Sequence, residues 1–183
     1  MVNLTHHGYW NLGGHDGNSV LEHELEIAAG FYTPADKQHT ATGEILPVKG
    51  TALDFRTPKL IGDDIERIEF PGNTDPLGYD LNYVLDRSND GLQFVARVRN
   101  PQSGYTMEFA TTKPGMVLYT GNYLDGTCIG KNDMSYTKQT GFCLEAQHFP
   151  DVLNKSHLSG WPSVQLRPGE SYRHTDLFRF STT

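Results

Sequence analysis

Cysteine is scarce in this sequence, with Cys128 and Cys143 the two in 183 residues. Two are too few for a disulfide scaffold, and no C-x-x-C pair offers a zinc or redox motif. Basic charge is short as well: fifteen Lys and Arg stand against twenty-two Asp and Glu, a formal net charge of −7. The basic residues form no cluster, which argues against a nucleic-acid partner, because phosphate neutralisation needs gathered positive charge. No apolar run approaches the ~18 residues that a membrane-spanning helix requires, and no membrane partner is expected. The opening Met1-Val2-Asn3-Leu4-Thr5 has no basic stretch followed by an apolar one, so no signal peptide is expected. Asn3-Leu4-Thr5 and Asn154-Lys155-Ser156 match the N-glycosylation pattern, a triplet that chance often supplies. An unglycosylated cytoplasmic protein is the expectation.

Turn-forming residues are plentiful, with 19 Gly and 10 Pro, and aromatic residues reach 11 %. That mix suits short strands joined by many turns. The clearest strand runs from Leu92 to Arg99. Leu92, Phe94, Ala96 and Val98 alternate with Gln93, Arg97 and Arg99, and Val95 breaks the pattern. Asn100-Pro101-Gln102-Ser103-Gly104 supplies a turn, and Tyr105 to Thr111 returns as a second alternating run, so the two read as a hairpin. Further strands are predicted at Leu4 to Leu12, Glu24 to Ala29, Ile45 to Lys49, Asp80 to Leu85, Met116 to Thr120, Gly141 to Gln147 and Tyr172 to Phe180. Only Pro58 to Arg67 reads as a short helix, with Pro58 at its first position and Asp63, Asp64 and Glu66 on a wet side. The fold class is all-β, a sandwich or barrel, with residues 1–183 as one domain and no visible boundary.

Eight histidines make metal binding the first chemistry to weigh. His6 and His7 are neighbours, and neighbours on a strand point to opposite faces, so the two cannot jointly hold one ion. His15, His23 and His39 lie in or beside turns, and no H-x-H or H-E-x-x-H spacing occurs. Local spacing therefore predicts no metal site and leaves open a set gathered from distant strands. No G-x-S-x-G elbow is present, and Cys143 reads as a small core residue in an apolar strand. Gly13-Gly14 has no following Lys and no helix, so it makes no phosphate loop. What remains is a dispersed polar set: His7, Asp80 and Glu145. Taken singly each has an ordinary structural use, although a carboxylate among Phe142, Leu144 and Phe149 is costly to desolvate unless paired or used.

The run Asn3-Leu4-Thr5-His6-His7-Gly8-Tyr9-Trp10-Asn11-Leu12 resembles the segment of the aldose 1-epimerase (galactose mutarotase) family that holds its catalytic histidine. Gly78-Tyr79-Asp80, Pro114 to Asn122, Gly141 to Asp151 and Leu166 to Tyr172 resemble later motifs of that family in the same order. The resemblance implies a large antiparallel β-sandwich and the interconversion of α and β anomers of free hexoses such as glucose and galactose. It also implies roles: His7 as general acid, Glu145 as general base, and Asp80 as a carboxylate that binds sugar hydroxyls. Tyr9, with Trp10, Tyr79 and Phe149, is a candidate to pack on a sugar face. No metal, nucleotide or redox cofactor is implied.

The family is roughly twice as long, and the chain resembles only its C-terminal half. An incomplete sandwich is therefore expected, with strand edges open to association. His6 replaces a usual Asn, Leu81 a common His, and Val117 a Gln that many members carry near the sugar. Two other readings fit the same residues: a non-catalytic carbohydrate-binding protein, and an inactive fragment that needs the missing N-terminal half. A branch acting on hexose 6-phosphates would need a basic cluster, which the sequence lacks.

Overall fold

Strands with one apolar side must bury it, and here two sheets bury theirs against each other. The computed structural model describes residues 1–16, 19–68 and 78–182. Among them lie β1 (Glu24–Ile27), β2 (Phe31–Thr33), β3 (Leu46–Pro47), β4 (Lys59–Leu60), β5 (Asp80–Val84) and β6 (Gln93–Arg99). Then come β7 (Tyr105–Thr111), β8 (Gly115–Tyr119), β9 (Asp125–Ile129), β10 (Ser135–Thr137), β11 (Cys143–Gln147), a short helix α1 (Val152–Lys155) and β12 (Asp176–Thr182). One sheet has the order β12-β7-β6-β1-β4 and the other β11-β8-β5-β2-β3, while β9 and β10 pair separately. Every pairing is antiparallel.

The two sheets share a single buried cluster. Leu25, Ile27, Val98, Met107 and Phe109 come from the first sheet, and Leu81, Tyr83, Met116, Leu118, Leu144 and Ala146 from the second. Two fully buried tyrosines tie a long loop beneath them. The Tyr79 hydroxyl donates to the Ala52 carbonyl and the Tyr83 hydroxyl to the Leu53 carbonyl, each at 3.1 Å. Both phenols are thus satisfied inside the core, as buried hydroxyls must be.

The β6–β7 hairpin forms where the sequence places it. Asn100 Oδ1 accepts from the Gln102 and Ser103 amides, and Gly104 turns the chain at φ +73°. The expected facing of β6 is corrected by a bulge. Phe94 pairs with Ala110 and Ala96 with Phe109, so Val95 is the extra residue. Leu92 and Phe94 consequently face solvent, while Val95, Ala96 and Val98 are buried.

Two other expectations are overturned. Leu4 to Leu12 is not a strand: it runs as irregular chain with one bridge, Trp10 to Phe142. Pro58 to Arg67 is not a helix. Lys59 and Leu60 pair with β1, a turn follows, and only Ile65–Arg67 forms one 3-10 turn. Sheet pairing outweighs a helix there, because Gly62 lowers its propensity and the Gly62 amide bonds instead to the Leu21 carbonyl. The strands β2, β9 and β10 were not legible as alternating runs.

Leu118, on β8, is fully buried between the sheets. Leu118→Ala is expected to cost about 2–5 kcal/mol, read as a lowered urea midpoint with an unchanged slope.

Candidate functional site

The sheet β11-β8-β5-β2-β3 has two faces, and only one is needed for the core. Strand alternation sends Leu144, Ala146, Met116, Leu118, Leu81 and Tyr83 inward, and so sends Cys143, Glu145, Val117, Tyr119, Asp80 and Asn82 outward. Register then lines these up in two rows. Glu145 lies opposite Val117 and Val117 opposite Asn82, while Cys143 lies opposite Tyr119 and Tyr119 opposite Asp80.

His7 reaches this face from the N-terminal segment, which the Trp10–Phe142 bridge holds beside β11 through hydrogen bonds of 2.8 and 2.9 Å. Its Nε2 lies 3.2 Å from Glu145 Oε1 and its Nδ1 lies 3.5 Å from Cys143 Sγ. The imidazole is half exposed and the carboxylate nearly buried. His6 turns the other way, onto Trp10 and Phe178. Tyr9 packs beside the His7 ring at 5.4 Å between centroids and edge-on to Tyr119 at 6.1 Å. Gly141 makes room for it, since an added Cβ there would press on the Tyr9 ring.

Asp80 is fixed by the turn before it. The Tyr79 amide donates to Thr120 Oγ1, which donates to Asn122 Oδ1, and Asn122 Nδ2 returns to the Tyr79 carbonyl. A side chain at position 78 would collide with the Asn122 amide, so glycine is required there. Asp80 opens onto a cleft whose other lining includes Thr33, Asp36, His39, Asn82 and Val117. Asn82 is buried; its Nδ2 donates to Thr33 Oγ1, and its Oδ1 has no protein partner.

Electrostatics follow from this crowding. Desolvation raises the Glu145 carboxyl above the usual range, His7 opposes the rise, and the Asp80 charge adds to it. Asp80 is open to solvent on one side, yet the surrounding protein still raises it, against His39 and His7. The Tyr9 phenol is pushed up to about 12, mainly by burial and then by Cys143 and Tyr119. Burial, with Glu145 and Asp80 nearby, lifts the Cys143 thiol far above its ordinary value. Among the described residues, His7, Cys143 and Glu145 are also the one trio placed to hold a metal ion, each offering a ligand atom within 4.8 Å of the others.

The sequence-predicted residues His7, Tyr9, Asp80, Val117 and Glu145 therefore meet on one sheet face. The other aromatic candidates do not. Tyr79 lies in the core, Phe149 packs edge-on to Trp161, and Trp10 joins Phe178 and Phe180. Cys143, Tyr119 and Asn82 were missed as site residues. Each stands two positions along a strand from a chosen one, so period-two alternation was the available signal.

The profile of the family described as Aldose 1-epimerase matches residues 1–179. The chain is 46 % identical over 180 residues to galactose mutarotase of Sus scrofa, and 33 % identical over 184 residues to aldose 1-epimerase of Escherichia coli K12. Each match covers 98 % of this chain and 50 % of the relative. The crystal structure of a GalM/aldose epimerase homologue from C. elegans superposes with a TM-score of 0.84 at 30 % identity, covering 99 % of this chain and 51 % of that one. A galactose 1-epimerase from Lactobacillus acidophilus superposes with a TM-score of 0.70 at 25 % identity, covering 98 % and 48 %. The chain thus spans about half the length of the curated relatives it matches. With a profile match that runs almost end to end over an antiparallel sandwich, the conclusion is direct: the chain belongs to the aldose 1-epimerase family.

Proposed function

We propose that this chain carries the acid–base machinery of a mutarotase, with His7 as general acid, Glu145 as general base, and a free aldohexose such as glucose or galactose as substrate. The observation that carries the reading is the 3.2 Å contact between His7 Nε2 and Glu145 Oε1, next to Val117, which with Asp80 lines the neighbouring cleft. A hemiacetal bonds its ring oxygen and its anomeric hydroxyl to the same carbon. An acid and a base that serve both oxygens must therefore stand close together, as this pair does.

Glu145 takes the proton of the anomeric hydroxyl while His7 gives one to the ring oxygen. The carbon–ring-oxygen bond breaks, its electron pair stays with the oxygen, and the anomeric carbon becomes an aldehyde. Rotation about the adjacent carbon–carbon bond presents the other face, and the two residues exchange roles as the ring closes. An imidazole suits the task because its ordinary pKa lies near neutrality. Asp80, on the cleft, would accept bonds from sugar hydroxyls, and Tyr9 offers a ring to the sugar's apolar face. Val117, in the row between Glu145 and Asn82, lines the sugar site without a hydrogen bond. No cofactor enters this chemistry.

The match to half of each relative supports residues 1–183 as the C-terminal portion of one larger sandwich. Exposed apolar side chains on outer strands, Leu46 on β3 and Leu177 and Phe180 on β12, support association through sheet edges. Two free thiols, Cys128 and Cys143, suit a reducing cytoplasm. The dispersed basic charge supports no nucleic-acid partner, and no described helix is long and apolar enough to cross a membrane.

Polarimetry on freshly dissolved α-glucose tests the roles. Glu145→Gln and His7→Asn are each expected to lower the catalysed rate by about 10²–10⁴-fold. A variant that still binds sugar and turns it over at the unsubstituted rate refutes the assignment.

The pH profile tests the electrostatics. The base must be ionised, so kcat/KM falls as pH drops through the Glu145 pKa, which burial holds above the ordinary value of about 4.3. Asp80 contributes to that rise, so Asp80→Asn is expected to move the acid limb to lower pH as well as weaken binding. A limb that stays in place, or moves upward, contradicts the coupling.

A further inference from the structure

Proton transfer uses His7 and Glu145 and leaves Cys143 without a task. Its thiol is fully buried beneath the site, against the far side of the imidazole that meets Glu145. One nitrogen, one sulfur and one carboxylate oxygen are thereby gathered within 4.8 Å from segments 136 residues apart. Three protein donors with an open fourth side are what zinc accepts when it keeps a position for water. Sulfur among them favours a thiophilic ion over magnesium or calcium.

Charge points the same way. Asp80 stands in the neighbouring row of the same sheet face, opposite Tyr119, which lies opposite Cys143, so a second carboxylate borders the trio. A divalent ion bound by one thiolate, one carboxylate and a neutral imidazole carries no net charge, so it can occupy a desolvated site at little cost. The half-exposed His7 ring gives access from solvent. Tyr9 and Tyr119 flank that ring and would hold its orientation.

We propose that His7, Cys143 and Glu145 bind a thiophilic divalent cation, zinc above all, and that the bound ion switches off sugar turnover by occupying both proton-transfer groups. On binding, the Cys143 thiol gives its proton to solvent and its sulfur replaces a water on the aqua ion. His7 and Glu145 each commit a lone pair to the metal, so neither can shuttle a proton, and nothing is oxidised or reduced. The binding half stands by itself; the inhibition half rests on the mutarotase reading.

Cobalt(II), a spectroscopic substitute for zinc, separates the two. Titrating the full chain is expected to give one equivalent bound with a near-ultraviolet sulfur-to-cobalt band that zinc then removes. Cys128→Ser should retain the band, and Cys143→Ser and Cys143→Ala should lose it while keeping the parent circular dichroism. His7→Asn, at a half-exposed position outside the core, should weaken binding by about tenfold or more. A band that survives in both Cys143 variants, one that vanishes in Cys128→Ser, or parental affinity in His7→Asn overturns the site. Polarimetry then reads inhibition: zinc should lower the parent rate about tenfold, EDTA should restore it, and residual turnover in Cys143→Ser should be zinc-insensitive. Cobalt binding without rate loss refutes the inhibition alone, and a chain with no turnover at all refutes the mutarotase reading while the cobalt arms still decide the site.

Discussion

The period of two along β8 is the constraint on which the rest of this structure depends. Met116 and Leu118 point into the core between the sheets, and Val117 and Tyr119 point the opposite way. Because β8 is paired on both sides, that choice is transmitted by register to β11 and β5. Burying Leu144 forces Glu145 outward, and burying Leu81 forces Asp80 outward. A slip of one residue would bring the carboxylates into the core and send the leucines to solvent. The hydrophobic term that stabilises the sandwich is therefore the same one that aims the site.

His7 is the exception, since no strand aims it. Its segment is held at intervals: the Trp10–Phe142 bridge, the Leu12 amide on His23 Nε2 at 3.0 Å, and the Ser103 hydroxyl on the Leu12 carbonyl at 2.8 Å. His23 can accept from Leu12 only while neutral, and burial keeps it so by lowering its pKa to about 4. The placement of one imidazole at the surface thus rests on a second imidazole kept uncharged in the core. Ahead of these anchors Gly8 is partly accessible and the His7 ring half exposed.

The same physics explains what the sequence made legible. Runs that alternate strictly, such as Tyr105 to Thr111, announced their strands because period two has no helical counterpart. Val95 looked like noise and was a bulge, a feature that depends on the partner strand and leaves little local trace. Pro58 to Arg67 carried helix signals at its start, yet pairing of Lys59 and Leu60 with β1 is a contact across more than thirty residues, and local propensity does not encode it. In the site, His7, Asp80 and Glu145 were legible through motifs held in order. Cys143 was not, since its sequence reading as a core residue is correct for its burial and silent about the imidazole lying against it.

Proximity also sets what such a site can and cannot do. On the proposed reading, an imidazole and a carboxylate in contact suit a substrate whose two reacting oxygens share one carbon, and they suit poorly a reaction that separates donor and acceptor sites. The cost of that closeness is mutual: burial raises Glu145, the Asp80 charge raises it further, and only His7 pulls it back. A carboxylate held in this balance is readily moved by any charge added beside it. The half-exposed imidazole completes the argument. Were it buried as deeply as Glu145, desolvation would oppose its charged form and weaken the one partner that favours the ionised carboxylate.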